Sequence, residues 1–426
     1  MGLSVILKKS ISTSLVSKVL GFLSSLYVVN VAASVFDSGN FAAFLLLSSI
    51  GGWLNLLSSG VSPLISSTLL KTGVSKESYI VFNTSFIFTF ISLLLSVLIF
   101  YLLFYFDFFG GIQELSDFNA VMVTVVLFAF TLLFSLGDSI RIGFHQTHIV
   151  NICFIIIGFL VLASFLYIDF NEIKRLDFLM LAFLLPGVLV KLTNLFLSLK
   201  KMKWLTLSHK FGVDFNIIEL IFSTSLSFTL IQAAGLISVQ LLLFLLSYYE
   251  QTELLNEFGV LFRFFALSGS FLTMLSVPLW PILLEKINKN EIELVTIVTN
   301  KVMRVFIGYG FVILSILLIF GHIFFDVWTK GKVTFSTFEI VLIGLKFILI
   351  CCSQAQMLIL RAFEKYGIMG KILLIQAILE FLLAWILLNS GFYCLQFLII
   401  SQLIFSFCTI CVMEKMTKKL FLESCP

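Results

Sequence analysis

Apolar runs long enough to cross a bilayer recur twelve times along this chain, at approximate limits 11–35, 41–70, 79–106, 119–137, 149–168, 177–199, 217–248, 259–284, 302–328, 335–360, 368–389 and 392–413. A helix needs about 20 residues to span a hydrocarbon core of about 30 Å at 1.5 Å per residue. Composition agrees with that count: 60% of the 426 residues are hydrophobic and 12% are charged, and the mean hydropathy is +1.13. Soluble domains of this length do not have such a balance. The expected fold class is an all-α polytopic membrane protein.

Loop charge tests the count independently, because short cytoplasmic loops are enriched in Lys and Arg. With the N-terminus placed inside, nineteen basic residues fall on the cytoplasmic side against four outside, Lys174, Arg175, Lys330 and Lys332. An error of one helix would scramble this alternation. Twelve spans with both termini cytoplasmic are therefore expected. The most basic loop, with Lys200, Lys201, Lys203 and Lys210, divides them six and six. This predicts two six-helix bundles, residues 1–205 and 206–426, around a central cavity, with a solute site between halves that rock. A cytoplasmic stretch from Leu283, LLEKINKNEIELVTIVTNKVMR, reads as an amphipathic helix on the membrane surface.

Four bases remain, Lys18, Lys191, Arg263 and Lys346, all inside spans. Against them stands one central acid, Glu380, with Asp138, Glu219, Glu257 and Glu339 nearer span ends. An ionisable group inside a span usually faces a cavity or a pathway. Lys18 sits on a stripe that includes Ser14, Ser17 and Gly21; Asn55 and Gln232 belong to similar stripes in the second and seventh spans. Such stripes serve either close helix packing or a water-filled cavity. The bases favour the cavity, with an anionic solute or the phosphates of a lipid carrier inside it. The residues expected to bind substrate are Lys18, Lys191, Arg263 and Lys346, and the cavity is lined by Ser14, Ser17, Gly21, Asn55 and Gln232. Glu380 has two roles open to it, coupling to an ion or partnering an interior lysine.

Other chemistry has little support. The four histidines make no metal-ligand spacing, the seven cysteines give no disulfide framework, and no GxxxxGK[ST] loop is present. No cofactor or metal is expected. The formal charge of +4 follows from topology and gives no reason to expect nucleic acid.

Five motifs in order carry a resemblance over nearly the whole chain. VSKVLGFL at Val16, SSGVSPLISSTL at Ser58, RIGFHQTHIVN at Arg141, VPLWPILLEKINKNE at Val277 and DVWTKGKVTFS at Asp326 resemble the polysaccharide repeat-unit flippases. These belong to the multidrug, oligosaccharidyl-lipid and polysaccharide exporter superfamily. VSKVLGFL is also similar to the first-helix signature of lipid II flippases. This chain departs from those in having Ser24 and Ser25 where further charges usually stand, and in lacking two extra C-terminal helices.

The resemblance implies alternating-access transport of an undecaprenyl-diphosphate-linked oligosaccharide, of O-antigen or capsule type, from the cytoplasmic to the periplasmic face of a bacterial inner membrane. It implies the lipid bilayer, and polymerase and chain-length proteins of the same pathway, as partners. The family's first-helix basic position falls on Lys18 alone. Three rivals are kept, and of these a non-transporting scaffold would leave the interior charges unexplained. A multidrug or ion antiporter of the same superfamily would be expected to carry acids at its site. A membrane-embedded polysaccharide polymerase would be expected to have a long outer loop, where the loops here are about ten residues.

Overall fold

A computed structural model describes residues 3–56, 61–105, 118–202, 217–219 and 229–424. Among the described residues the chain is helical and ten helices are long and apolar enough to cross a membrane. The two other apolar blocks are helical as well. The second is divided into α2 (Ser38–Leu47), α3 (Gly51–Leu56) and α4 (Val61–Thr72). The eighth lies within a 37-residue helix, Thr252–Asn288. The chain separates into two compact units, Met1–Gln232 and Ala233–Pro426. The boundary expected near residue 205 falls outside the described residues.

In the first unit, α1 (Leu3–Val35) lies along α8 (Thr147–Asn171), and α6 (Phe118–Phe134) lies along α9 (Leu176–Lys201). The short helix α7 (Leu136–Gly143) follows α6 after a break at Ser135 and contacts both α4 and α9. α5 (Lys76–Tyr105) packs on α4 and α6. Tyr79 of α5 donates to the carbonyl of Met202, which ties the end of α9 to the start of α5.

In the second unit the chain runs through a π-helical stretch, Leu236–Leu241, into α10 (Leu242–Tyr248) and then α11 (Thr252–Asn288). α12 (Ile292–Thr329), α13 (Thr337–Ala362), α14 (Tyr366–Asn389) and α15 (Leu395–Ser424) follow. α13 is the centre of this unit, in contact with α11, α12, α14 and α15. A capping box fixes its start: Ser336 accepts from the Glu339 amide and Glu339 accepts from the Ser336 amide. Phe347, Cys351 and Ala355 of α13 are buried against Leu272 of α11 and Phe306 of α12.

Many large apolar side chains are exposed, among them Phe311, Ile316, Ile319 and Ile323 along α12. Lipid tails as solvent make this neutral, so an apolar side chain alone does not tell an inward face from an outward one. The surface helix expected from Leu283 is not a separate element. The chain breaks within it, at Lys289–Glu291, where Asn290 takes a left-handed conformation at φ 57°. Its first part completes α11 and its second part begins α12. Ion pairs Lys289–Glu285 (2.6 Å) and Lys286–Glu291 (2.7 Å) hold the turn, and buried Leu283 and Val295 draw the two helices together over Leu358 of α13. α12, at 38 residues, is about 57 Å long and so outreaches the hydrocarbon core.

Candidate functional site

Five of the charged residues inside the spans form two clusters, Asp138, Arg141 and Lys191 in the first unit and Lys346 and Glu380 in the second. In the first unit the sequence FSLGDSIRIG places a glycine where α7 meets α9. A Cβ on Gly137 would lie 2.6 Å from Leu195 Cα, so only glycine allows this approach. The Ser198 hydroxyl donates to the Gly137 carbonyl at 3.3 Å. The next residue, Asp138, is brought against α9, where its carboxylate accepts from Asn194 Nδ2 at 2.7 Å and stands 3.8 Å from Lys191 Nζ. Asn194 Oδ1 in turn accepts from Arg141 Nε at 3.2 Å, and Arg141 Nη1 donates to Gln146 Oε1 at 2.8 Å. Asn194 therefore bridges a carboxylate and a guanidinium with the two ends of one amide. Lys191 also lies 5.6 Å from the centre of the Phe154 ring on α8, within cation–π range.

In the second unit Lys346 and Glu380 face each other from α13 and α14, Nζ to Oε1 at 3.6 Å. Both are buried, at 7% and 3% exposure. Lys346 Nζ donates to Ser406 Oγ at 2.7 Å and to the Gln402 carbonyl at 3.2 Å, both on α15. Glu380 accepts from Gln376 Nε2 at 2.8 Å on Oε1 and from the Ser238 hydroxyl at 2.9 Å on Oε2. Ser238 lies in the π-helical stretch, a departure from α-geometry that often marks functional positions. The pair lines a cavity of about 510 Å³, with Phe258, Phe262, Phe265 and Gln354 among its other walls. That volume lies in the range of small-molecule sites, about 300–1,000 Å³.

The remaining expected positions lie apart from these clusters. Lys18 is half-buried on α1 and has no ion pair among the described residues. Ser17 is buried and its hydroxyl returns to the Ser14 carbonyl at 2.8 Å; Ser14 and Gly21 are half-buried. Arg263 is half-buried on α11 and does not line the second unit's cavity. Gln232 is exposed at the end of the first unit. Asn55 is in α3, but its side chain lies outside the described residues.

The sequence matches no protein-family model and no curated protein. Solved structures do match. A multidrug resistance MATE family transporter of the MOP superfamily in an inward-facing conformation superimposes with a TM-score of 0.71 at 12% identity, covering 94% of this chain and 95% of that one. The outward-facing conformation of such a transporter gives 0.70 at 11% identity, over 98% and 96%. This chain has the MATE fold. A MOP superfamily transporter from Pyrococcus furiosus, for which a binding pocket of reverse polarity suggests a different function, gives 0.65 at 10% identity over 98% and 96%.

Sequence reasoning put Asp138 near a span end and passed over Ser238, Gln402 and Ser406. Gln402 and Ser406 stand one helical turn apart with Thr409 following at i+3, a polar stripe that was a signal for the α15 pair.

Proposed function

We propose that this protein is a flippase that moves undecaprenyl-diphosphate-linked oligosaccharides, of O-antigen or capsule type, from the cytoplasmic to the periplasmic leaflet of a bacterial inner membrane. It works by alternating access, with both termini cytoplasmic and no chemical step on the substrate. The sugar and diphosphate travel through the protein while the polyprenyl tail stays in lipid. The polymerase and chain-length proteins of the pathway receive the product.

One observation carries this reading. The acids of both interior clusters are already engaged by lysines, Asp138 by Lys191 and Glu380 by Lys346. A cationic solute meets no uncommitted carboxylate there, whereas Lys18 keeps an ammonium without an ion-pair partner among the described residues. Phosphate oxygens leaving the headgroup region lose water, and cationic side chains offset that loss. The MATE fold supports the transport mechanism, since transporters with this fold are known both inward-facing and outward-facing.

A second reading, an ion-coupled multidrug antiporter, is favoured by Glu380 lining a cavity of drug-sized volume. Reconstitution separates the two. Proteoliposomes carrying a fluorescent undecaprenyl-diphosphate oligosaccharide should show protein-dependent movement of the glycan between leaflets and no accumulation of lipophilic cations. The reverse result would establish the antiporter.

A further inference from the structure

The charged pair of the second unit has an unusual distribution of distances. Its two ions stand 3.6 Å apart, longer than a charge-assisted hydrogen bond of about 2.7–2.9 Å. The short bonds all go to neutral partners: Lys346 to the Ser406 hydroxyl at 2.7 Å, and Glu380 to Gln376 at 2.8 Å and Ser238 at 2.9 Å. Each ion thus keeps its close bonds if the other is withdrawn.

We propose that Lys346 and Glu380 are an exchangeable pair: an oxyanion of the solute, phosphate or carboxylate, enters the cavity and takes Lys346, and Glu380 takes up a proton from the bulk solution in its place. The charge balances. One ammonium, one carboxylate, one entering solute anion and one proton from bulk solution become one ammonium paired with the anion and one carboxylic acid, formed by an O–H bond at Glu380; the net charge is zero on both sides and nothing is oxidised or reduced. The proton is required because a carboxylate deprived of its counter-ion in a cavity walled by Phe258, Phe262 and Phe265 is strongly disfavoured. Gln376 is placed to serve both states, since its amide can turn to present its oxygen to the new O–H.

The exchange has no competitor in the cavity. Among the described residues, Lys346 and Glu380 are the two titratable side chains that line it. The neighbouring helices also carry Glu257 and Arg263 on α11, Arg304, Tyr309, His322 and Asp326 on α12, Glu339, Cys351 and Cys352 on α13, Lys371 on α14, and Cys408 and Cys411 on α15, and none of these lines the cavity. The inference rests on the proposed transport function for the identity of the solute, not for the exchange.

The test uses the full-length protein in nanodiscs and methanesulfonate, a monovalent oxyanion that does not itself titrate near neutral pH. Binding should be accompanied by uptake of about one proton per anion from a weakly buffered solution. Glu380→Gln should bind methanesulfonate about tenfold more tightly, without proton uptake and without pH dependence, because the competing carboxylate is gone. The double variant Lys346→Met with Glu380→Gln leaves no buried charge unpaired, so it should fold and melt normally yet not bind the anion. Absence of binding to the natural protein, binding without proton uptake, or an unchanged affinity in Glu380→Gln would each overturn the exchange. Displacement by inorganic phosphate would assign the site to a diphosphate headgroup, and displacement by glucuronate to an acidic sugar. If lipid-linked glycan is flipped but no proton is taken up, the exchange fails and the flippase stands. If anion binding is proton-linked but no glycan moves, the exchange stands and the flippase fails.

Discussion

Gly137→Ala tests the packing that builds the first unit's charge cluster. The added methyl would lie 2.6 Å from Leu195 Cα and 2.8 Å from Leu195 N, where carbon contacts are normally about 3.5–4.0 Å. These are backbone atoms of another helix, so no side-chain rotation relieves the overlap and α7 must withdraw from α9 by roughly 1 Å. Overpacking of this kind costs about 1–3 kcal/mol. A withdrawal on that scale also takes Asp138 out of hydrogen-bond range of Asn194, now at 2.7 Å, and beyond ion-pair range of Lys191, now at 3.8 Å. Losing one hydrogen bond to a charged group adds about 1.5–3 kcal/mol, for a total of roughly 2.5–6 kcal/mol. Gly21→Ala is the matched control, since a Cβ there meets no atom within 4 Å. Removing a mid-helix glycine should if anything stabilise, by about 0.5–1 kcal/mol. Thermal melting of the two purified variants, followed by fluorescence-detected size exclusion, should place Gly137→Ala many degrees below the natural protein and Gly21→Ala level with it or above. Equal melting of the two variants would refute the close approach at Gly137.

Three further outcomes are expected. Lys18→Ala, present in the membrane at normal abundance, should stall lipid-linked units on the cytoplasmic face and abolish surface polysaccharide, while Lys18→Arg should keep much of the activity; normal surface glycan in Lys18→Ala would reduce the lysine to one that snorkels to the interface. Lys191→Met leaves half-buried Asp138 without its counter-ion, a change that costs about 3–5 kcal/mol in fully buried, tightly paired cases and should fall near or below the lower end here because the pair is 3.8 Å apart. Adding Asp138→Asn should restore most of the melting temperature, and strictly additive losses would show that the two residues are not coupled. Single cysteines placed at Ser38 and Ser390, in a background freed of the natural cysteines, should be labelled from outside and one at Ser75 from inside; labelling of all three from one side would break the expected topology.

A fold hosts more than one function, so the MATE fold does not by itself choose between polysaccharide transport and multidrug export. The choice rests on which charges inside the spans are free to meet a solute. Pairing matters more than the count. Four bases against one central acid suggests a strongly cationic interior, but the structure neutralises Lys346 with Glu380 and Lys191 with Asp138.

What the sequence determined by itself is the class of molecule and the residues that had to be explained. Lipid as solvent imposes apolar runs of a fixed length whatever the tertiary arrangement, so nearly every span can be read from local composition. A charge inside such a run is conspicuous for the same reason, which is why Lys18, Lys191, Lys346 and Glu380 stood out. Only tertiary structure decided which of them meet. Glu380 reaches Ser238 across 142 residues of sequence and Lys346 reaches Ser406 across 60, and no local periodicity encodes contacts of that range. The break at Asn290 and the π-helical stretch at Leu236–Leu241 were likewise hidden. Gly235 stands directly before the π-helical stretch and Asn290 is a residue type that tolerates left-handed backbone, but neither signal by itself tells a break from an ordinary helix position. The sequence therefore named the charged actors, and the tertiary contacts assigned their partners because a buried ion takes whichever counter-charge the fold brings within a few ångströms.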